Sequence, residues 1–198
     1  MPPRPDEARR ERLLDQLEAM FLGEGFLHMR IGGLASRLRC SRSTLYKLAP
    51  SKEQLFVLVV ERWVNKGTDM ILAEAEKCES PIEEIETVFR LTTEVQSRGT
   101  PAFWRDALNY APTAQRFSED RARGIERVRS YLDDGIAQGI FRPTNTSYVA
   151  HMVWLGLQAA RDPDLLGRLG MTQREALREL QELLLRGMIA SDRGHATG

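Results

Sequence analysis

Capping boxes mark this chain at three widely separated points: Ser51 to Gln54 (SKEQ), Ser80 to Glu83 (SPIE) and Thr172 to Glu175 (TQRE). In each, a hydroxyl and a Glu or Gln side chain three residues further on satisfy orphan backbone donors at a helix start. Thr100 before Pro101 adds a fourth start, with a cap and a proline at the first helical turn. Between these signals apolar residues recur at three-four spacing, and strand-like alternation is almost absent. The chain is therefore predicted to be all-α, with about nine helices.

The first helix carries Leu13, Leu14, Leu17, Met20 and Phe21 and ends at Gly23 and Gly25. Ile31, Leu34, Ala35 and Leu38 form a short second helix, weakened by Gly32 and Gly33 at its start. Ser41 caps a third, Arg42 to Leu48, with Leu45 and Leu48 inward and Arg42, Ser43, Thr44, Tyr46 and Lys47 outward. Pro50 helps to end it. A long fourth helix runs from Lys52 to about Lys77, and others are predicted near 81–98, 102–110, 113–138, 145–160 and 173–190. Residues 191–198 read as a disordered tail.

Basic and acidic side chains balance, 28 against 28, but they are unevenly spread. Through Lys52 there are ten basic residues against six acidic ones. From Gly25 to Lys52 the chain holds Arg30, Arg37, Arg39, Arg42, Lys47 and Lys52 and no acid at all. Two short helices joined by a tight turn, braced by a longer helix in front, make a helix-turn-helix, whose second helix enters the DNA major groove. That helix must be narrow, outwardly polar and free of acid. Arg42 is placed to reach base edges, Ser41, Ser43 and Thr44 to bond phosphates or bases, and Tyr46 and Lys47 to grip the backbone. Lys52, with the first amides of the fourth helix, is expected to clamp a phosphate.

The run GEGFLHMRIGGLASRLRCSRSTLYKLAPSKEQLF, Gly23 to Phe56, resembles the TetR family of transcriptional regulators. The matching elements are the glycine-aromatic end of the first helix, the Leu34-Ala35 pair, Thr44-Leu45-Tyr46 in the recognition helix, and Ser51 to Leu55 opening the fourth helix. By motif it covers the first sixty or so residues, and beyond them it rests on the number and order of helices. Four positions depart from the family pattern. Met29 stands where a threonine is usual, Arg39 where the turn usually has glycine, Ser43 where the recognition helix often has glycine, and Ala49 where an aromatic precedes the proline. An arginine at a left-handed turn position is strained by about 1 kcal/mol. Arg30, Arg39 and the arm residues Arg4, Arg9 and Arg10 are expected to supply phosphate contacts in place of the missing threonine.

The resemblance implies a ligand-responsive repressor. A DNA-binding domain would span 1–51, an effector-binding and dimerisation domain 52–190, and a homodimer would sit on a palindromic double-stranded operator. Physical reasoning asks for the dimer too, because one short helix reads only a few base pairs and genome-level specificity needs two half-sites about 34–36 Å apart. Val149, Val153, Gly156 and Leu157, with Leu177, Leu180, Leu184 and Met188, form apolar stripes on the last two helices. These stripes suit a four-helix bundle between two copies, or equally the core of one copy. Trp63, Met70, Phe89, Phe103, Trp104, Tyr110 and Tyr131 concentrate in the middle helices, while His151, Trp154 and Gln158 fall at i, i+3 and i+7 on one later helix. Together they read as the lining of a chamber for a small, mostly apolar effector, or as solid core.

Other functions find little support. His28, His151 and His195 are scattered, and the sequence has no metal-ligand spacing, nucleophile elbow or phosphate loop, so no enzyme activity and no cofactor are expected. Cys40 and Cys78 read as free thiols of a reducing compartment, and no targeting or membrane-spanning segment is expected, which points to the cytoplasm. A second possibility keeps the DNA-binding head but makes the protein a structural tether for a protein partner, with no effector.

Overall fold

The computed structural model describes residues 5–189, in which ten helices follow one another: α1 (Pro5–Glu24), α2 (Ile31–Arg37), α3 (Arg42–Tyr46), α4 (Lys52–Ala75), α5 (Pro81–Gln96), α6 (Pro101–Asn109), α7 (Ala111–Ala137), α8 (Thr146–Ala159), α9 (Pro163–Leu169) and α10 (Gln173–Met188). The only extended pairing among the described residues is an isolated antiparallel bridge between Phe141 and Ile189. The expected all-α class holds. Arg4, His195 and the tail 191–198 lie outside the described residues.

The helix starts follow from their caps. Ser80, Thr100, Asn145 and Thr172 each accept the backbone N–H of the residue three positions further on, in the helix they open, and Thr172 and Glu175 complete a reciprocal capping box. Sequence periodicity alone misses α9, where Pro163 reads only as punctuation. Its signals are a cap and a stop: Asp162 Oδ1 accepts from the amides of Asp164 and Leu165 at 2.9 and 3.1 Å, and Gly170 closes the helix at φ 64°. The helix is only two turns long, too short for its apolar spacing to stand out.

The described residues divide into two compact units, one of 5–68 with 98–118 and one of 69–97 with 119–189. This division does not follow the 1–51 and 52–190 partition suggested by the motifs, since α6 and the first part of α4 belong with the helix-turn-helix.

The core of the first unit is aromatic. Phe26 and Phe56 stack with centroids 3.5 Å apart, Phe21 meets Phe56 edge-on at 5.5 Å, and Phe103 touches Trp63 and Trp104 at 5.3 and 5.2 Å. An ion-pair network ties α1 to α4. The Arg62 guanidinium reaches Glu11 at 2.8 Å, Asp15 at 2.5 Å and Glu18 at 3.1 Å, and Glu18 also takes Arg98 at 2.9 Å. The hydrogen bond from Arg62 holds the Asp15 carboxyl below its ordinary range.

The core of the second unit is mainly aliphatic: Ile85 and Phe89 from α5, Leu132 from α7, Phe141, Val153 from α8, and Leu184 and Met188 from α10. α10 packs against α5 and α8. Gly135 makes room for the Phe141 ring, since a Cβ there would overlap it. Burial, with Asp134 nearby, pushes the Glu84 carboxyl above its usual range.

Candidate nucleic-acid interface

α2 and α3 pack together as the two arms of a helix-turn-helix. The turn between them is a complete Schellman motif. The Cys40 N–H donates to Ala35 O at 3.0 Å and the Arg39 N–H to Ser36 O at 3.1 Å, while Arg39 sits in the left-handed region at φ 49°. Arg39 is the only non-glycine residue at positive φ among those described, at the position where the sequence departs from glycine. The strain of about 1 kcal/mol is thus present, and it leaves an exposed arginine at the elbow of the motif.

Ser41 starts α3. Its Oγ accepts the Thr44 N–H at 3.0 Å and lies 2.9 Å from the Thr44 hydroxyl. Both hydroxyls are therefore already engaged in forming the helix. Leu45 is fully buried, whereas Arg42, Ser43, Tyr46 and Lys47 are exposed, Tyr46 to 49%. The α-helix ends at Tyr46, short of the Arg42 to Leu48 span expected from sequence, because Leu48 and Ala49 fold back onto Leu45 O through their amides. The Arg42 guanidinium rests over Gly32, where a Cβ would come within 2.8 Å of it.

The remaining basic residues are placed differently. Arg30 is exposed at the start of α2 and makes no side-chain cap. Arg37 forms a two-pronged pair with Glu24 at 2.8 and 2.5 Å, and that hydrogen bond lowers the Glu24 carboxyl. Lys52 is turned inward. Its Nζ donates to Met29 O at 3.0 Å and Leu27 O at 3.2 Å and stands 5.6 Å over the Phe26 ring.

Asp106 of α6 belongs to none of the sequence motifs. Its Oδ2 accepts the amides of Phe26 and Leu27, at 2.5 and 2.8 Å, from 80 and 79 residues away along the chain. No local pattern announces a contact of that range.

The residues expected to line an effector chamber divide between the units. Trp63, Phe103, Trp104 and Tyr110 lie in the first, where Trp63, Phe103 and Trp104 are buried in the aromatic core. Met70, Phe89, Tyr131, His151, Trp154 and Gln158 lie in the second. There Phe89 is core, Met70, His151 and Gln158 are exposed, and Trp154 is buried beside Ile125 and Ala150 with its ring against Gly124. The indole N–H groups of Trp63 and Trp154 are buried without an acceptor among the described residues. Of the residues expected at a dimer interface, Val153, Leu177, Leu184 and Met188 are buried within the chain itself. Val149, Leu157 and Leu180 pack against that core, and Gly156 lies under Leu180. The free apolar side chains on α8 and α10 are instead Tyr148, Met152, Leu155 and Leu183. Among the described residues no cluster of three or more His, Cys, Asp or Glu could hold a metal ion, and no helix is long and apolar enough to cross a membrane.

No protein-family model matches the chain, and neither does any curated protein. Solved structures do match it over nearly its whole length. A TetR-family transcriptional regulator from Agrobacterium tumefaciens superposes with TM-score 0.73 at 12% identity, covering 92% of this chain and 98% of that one. The TetR-family regulator PfmR from Thermus thermophilus gives 0.64 at 21% identity, covering 89% and 98%. A Saccharomonospora viridis protein proposed to be a transcriptional regulator, solved in complex with choline, gives 0.75 at 18% identity, covering 93% and 99%. The chain therefore has the fold of TetR-family transcriptional regulators across its length, at low sequence identity.

Proposed function

We propose that this chain is a TetR-type repressor of the cytoplasm that binds a palindromic operator as a homodimer and releases it when a small, mostly apolar effector binds. The observation that carries this is α3: a short, acid-free helix with Arg42, Ser43, Tyr46 and Lys47 exposed, held on a buried Leu45 within a helix-turn-helix. Arg30 and Arg39 flank it as phosphate contacts, and Ser41 and Thr44 build its start.

The dimer contact falls on the outward stripe of Tyr148, Met152 and Leu155, with Leu183 of α10, since the inward stripe is already covered. Around Trp154, a buried indole donor without an acceptor favours an effector that carries one, and the choline bound to the S. viridis neighbour supports small-molecule binding on this fold. A useful effector needs a coupling of about 1–3 kcal/mol between its site and the operator.

Selection of genome fragments by the purified protein tests the proposal. The expected result is enrichment of a palindrome, with binding weakened by Tyr46→Ala and by Lys47→Ala. No specific enrichment, with weak binding that both variants retain, would remove α3 as a DNA reader.

A further inference from the structure

α2 is poorly equipped to set its own direction. Its N-cap, Arg30, makes no side-chain cap, and Gly32 and Gly33 occupy its first turn. Beyond its buried Leu34 and Ala35 and the Arg37–Glu24 pair, what aims it is the loop that launches it, 25–30, and that loop is gripped from two sides.

On one side the Asp106 carboxylate of α6 takes the Phe26 and Leu27 amides at 2.5 and 2.8 Å. On the other the Lys52 ammonium of α4 donates to the Leu27 and Met29 carbonyls at 3.2 and 3.0 Å. The donors and acceptors of one short loop are thus fixed by opposite charges on two different helices, and Leu27 is held at both its N–H and its C=O. The fit is close. Gly25 has φ 75°, and a Cβ there would lie 2.7 Å from Asp106 Oδ2 and 3.1 Å from Ala102 O, so only glycine allows α6 this near. Just before the loop, Thr100 fastens the end of α1 by donating both its N–H and its hydroxyl to Leu22 O, at 2.9 and 3.0 Å.

We propose that Asp106 and Lys52 are positioning residues for DNA reading: by clamping the 25–30 loop from both sides they fix the pose of α2 and, through it, of α3, and neither touches DNA. The proposal rests on α3 being the DNA reader. It also assigns Lys52 away from the phosphate contact its place at a helix start suggests, because its ammonium is spent on two carbonyls.

The test uses full-length protein and the fragment it enriches. Affinity for that fragment and for random-sequence DNA is measured across a salt series for wild type, Asp106→Asn and Lys52→Met, with amide exchange followed at Phe26 and Leu27. Each variant is expected to lose about tenfold in affinity for the enriched fragment, on the scale of one lost base contact, with random-sequence binding and salt slope unchanged. Phe26 and Leu27 should exchange faster in Asp106→Asn. A salt slope shallower by about 0.9 in Lys52→Met, with equal losses on both DNAs, would make Lys52 a phosphate contact and overturn its assignment. Wild-type affinity in Asp106→Asn despite faster exchange would overturn that of Asp106. Failure of the wild type to enrich any fragment would instead sink the reading of α3, and the proposal with it. If Asp106→Asn does not fold, Lys52→Met, which keeps the packed stem, decides alone.

Discussion

The two units of this chain solve the same problem, burying a helix bundle, with different materials. The first relies on rings: Phe21, Phe26, Phe56, Trp63, Phe103 and Trp104 meet edge-on or stacked, and charged groups on neighbouring helices lock it. The second relies on aliphatic side chains from α5, α7, α8 and α10, with glycines cut away to seat Phe141 and Trp154. Rings have a preferred mutual geometry and few rotamers, so they fix orientation as well as proximity. Aliphatic layers fill space with less directional preference. The difference teaches that the unit which carries α3 is the one built from directional contacts.

Truncation of one ring is the strongest way to break that contrast. Phe56→Ala removes a fully buried side chain that touches Phe21, Phe26 and Phe103, and should cost about 3–5 kcal/mol in thermal or denaturant unfolding. Trp63 and Trp104 report this unit by fluorescence, and Trp154 reports the other. An unfolding shift confined to the first pair would mean that the units melt separately, while a common shift would mean one cooperative fold. The matching change in the second unit, Leu132→Ala at a fully buried site, should cost about 2–5 kcal/mol, followed through Trp154 in a variant lacking the other two tryptophans.

Smaller effects sharpen the comparison. Arg39→Gly relieves the left-handed strain and should stabilise the first unit by about 0.5–1 kcal/mol, while flattening the salt dependence of DNA binding if that arginine meets a phosphate. The smallest effect is one of pH, and its sign separates two acids. Asp15, lowered by its hydrogen bond from Arg62, contributes stability above the ordinary carboxylate range and loses it as pH falls through its lowered value. Glu84, raised by burial, is a cost while ionised that fades as pH falls through its raised value. Glu84→Gln should therefore stabilise the protein at neutral pH and lose that advantage near pH 4, as read by melting temperature.

What the sequence revealed follows the range of the interactions involved. Capping, turn chemistry and three-four spacing act within a few residues, so the order of every helix but α9, the Ser41 cap and the strain at Arg39 were legible. The inward turn of Lys52 and the grip of Asp106 were not, because each depends on a partner dozens of residues away. The apolar stripes of α8 and α10 were visible, but sequence could not say whether the chain or a second copy covers them. The structure gives Val153, Leu184 and Met188 to the chain's own core and leaves Met152, Leu155 and Leu183 outside.

The interleaving of the units bears on how the protein is made. The helix-turn-helix leaves the ribosome early, but the carboxylate that takes the Phe26 amide lies 80 residues behind it. At about 5–20 residues per second, that is a delay of roughly 4–16 seconds. For the part of it that follows the synthesis of Lys52 the nascent helix-turn-helix has its lysine but not its aspartate, and the whole of α5 is synthesised in between. The helix-turn-helix, though it emerges first, is thus not fully held until the chain is past its midpoint.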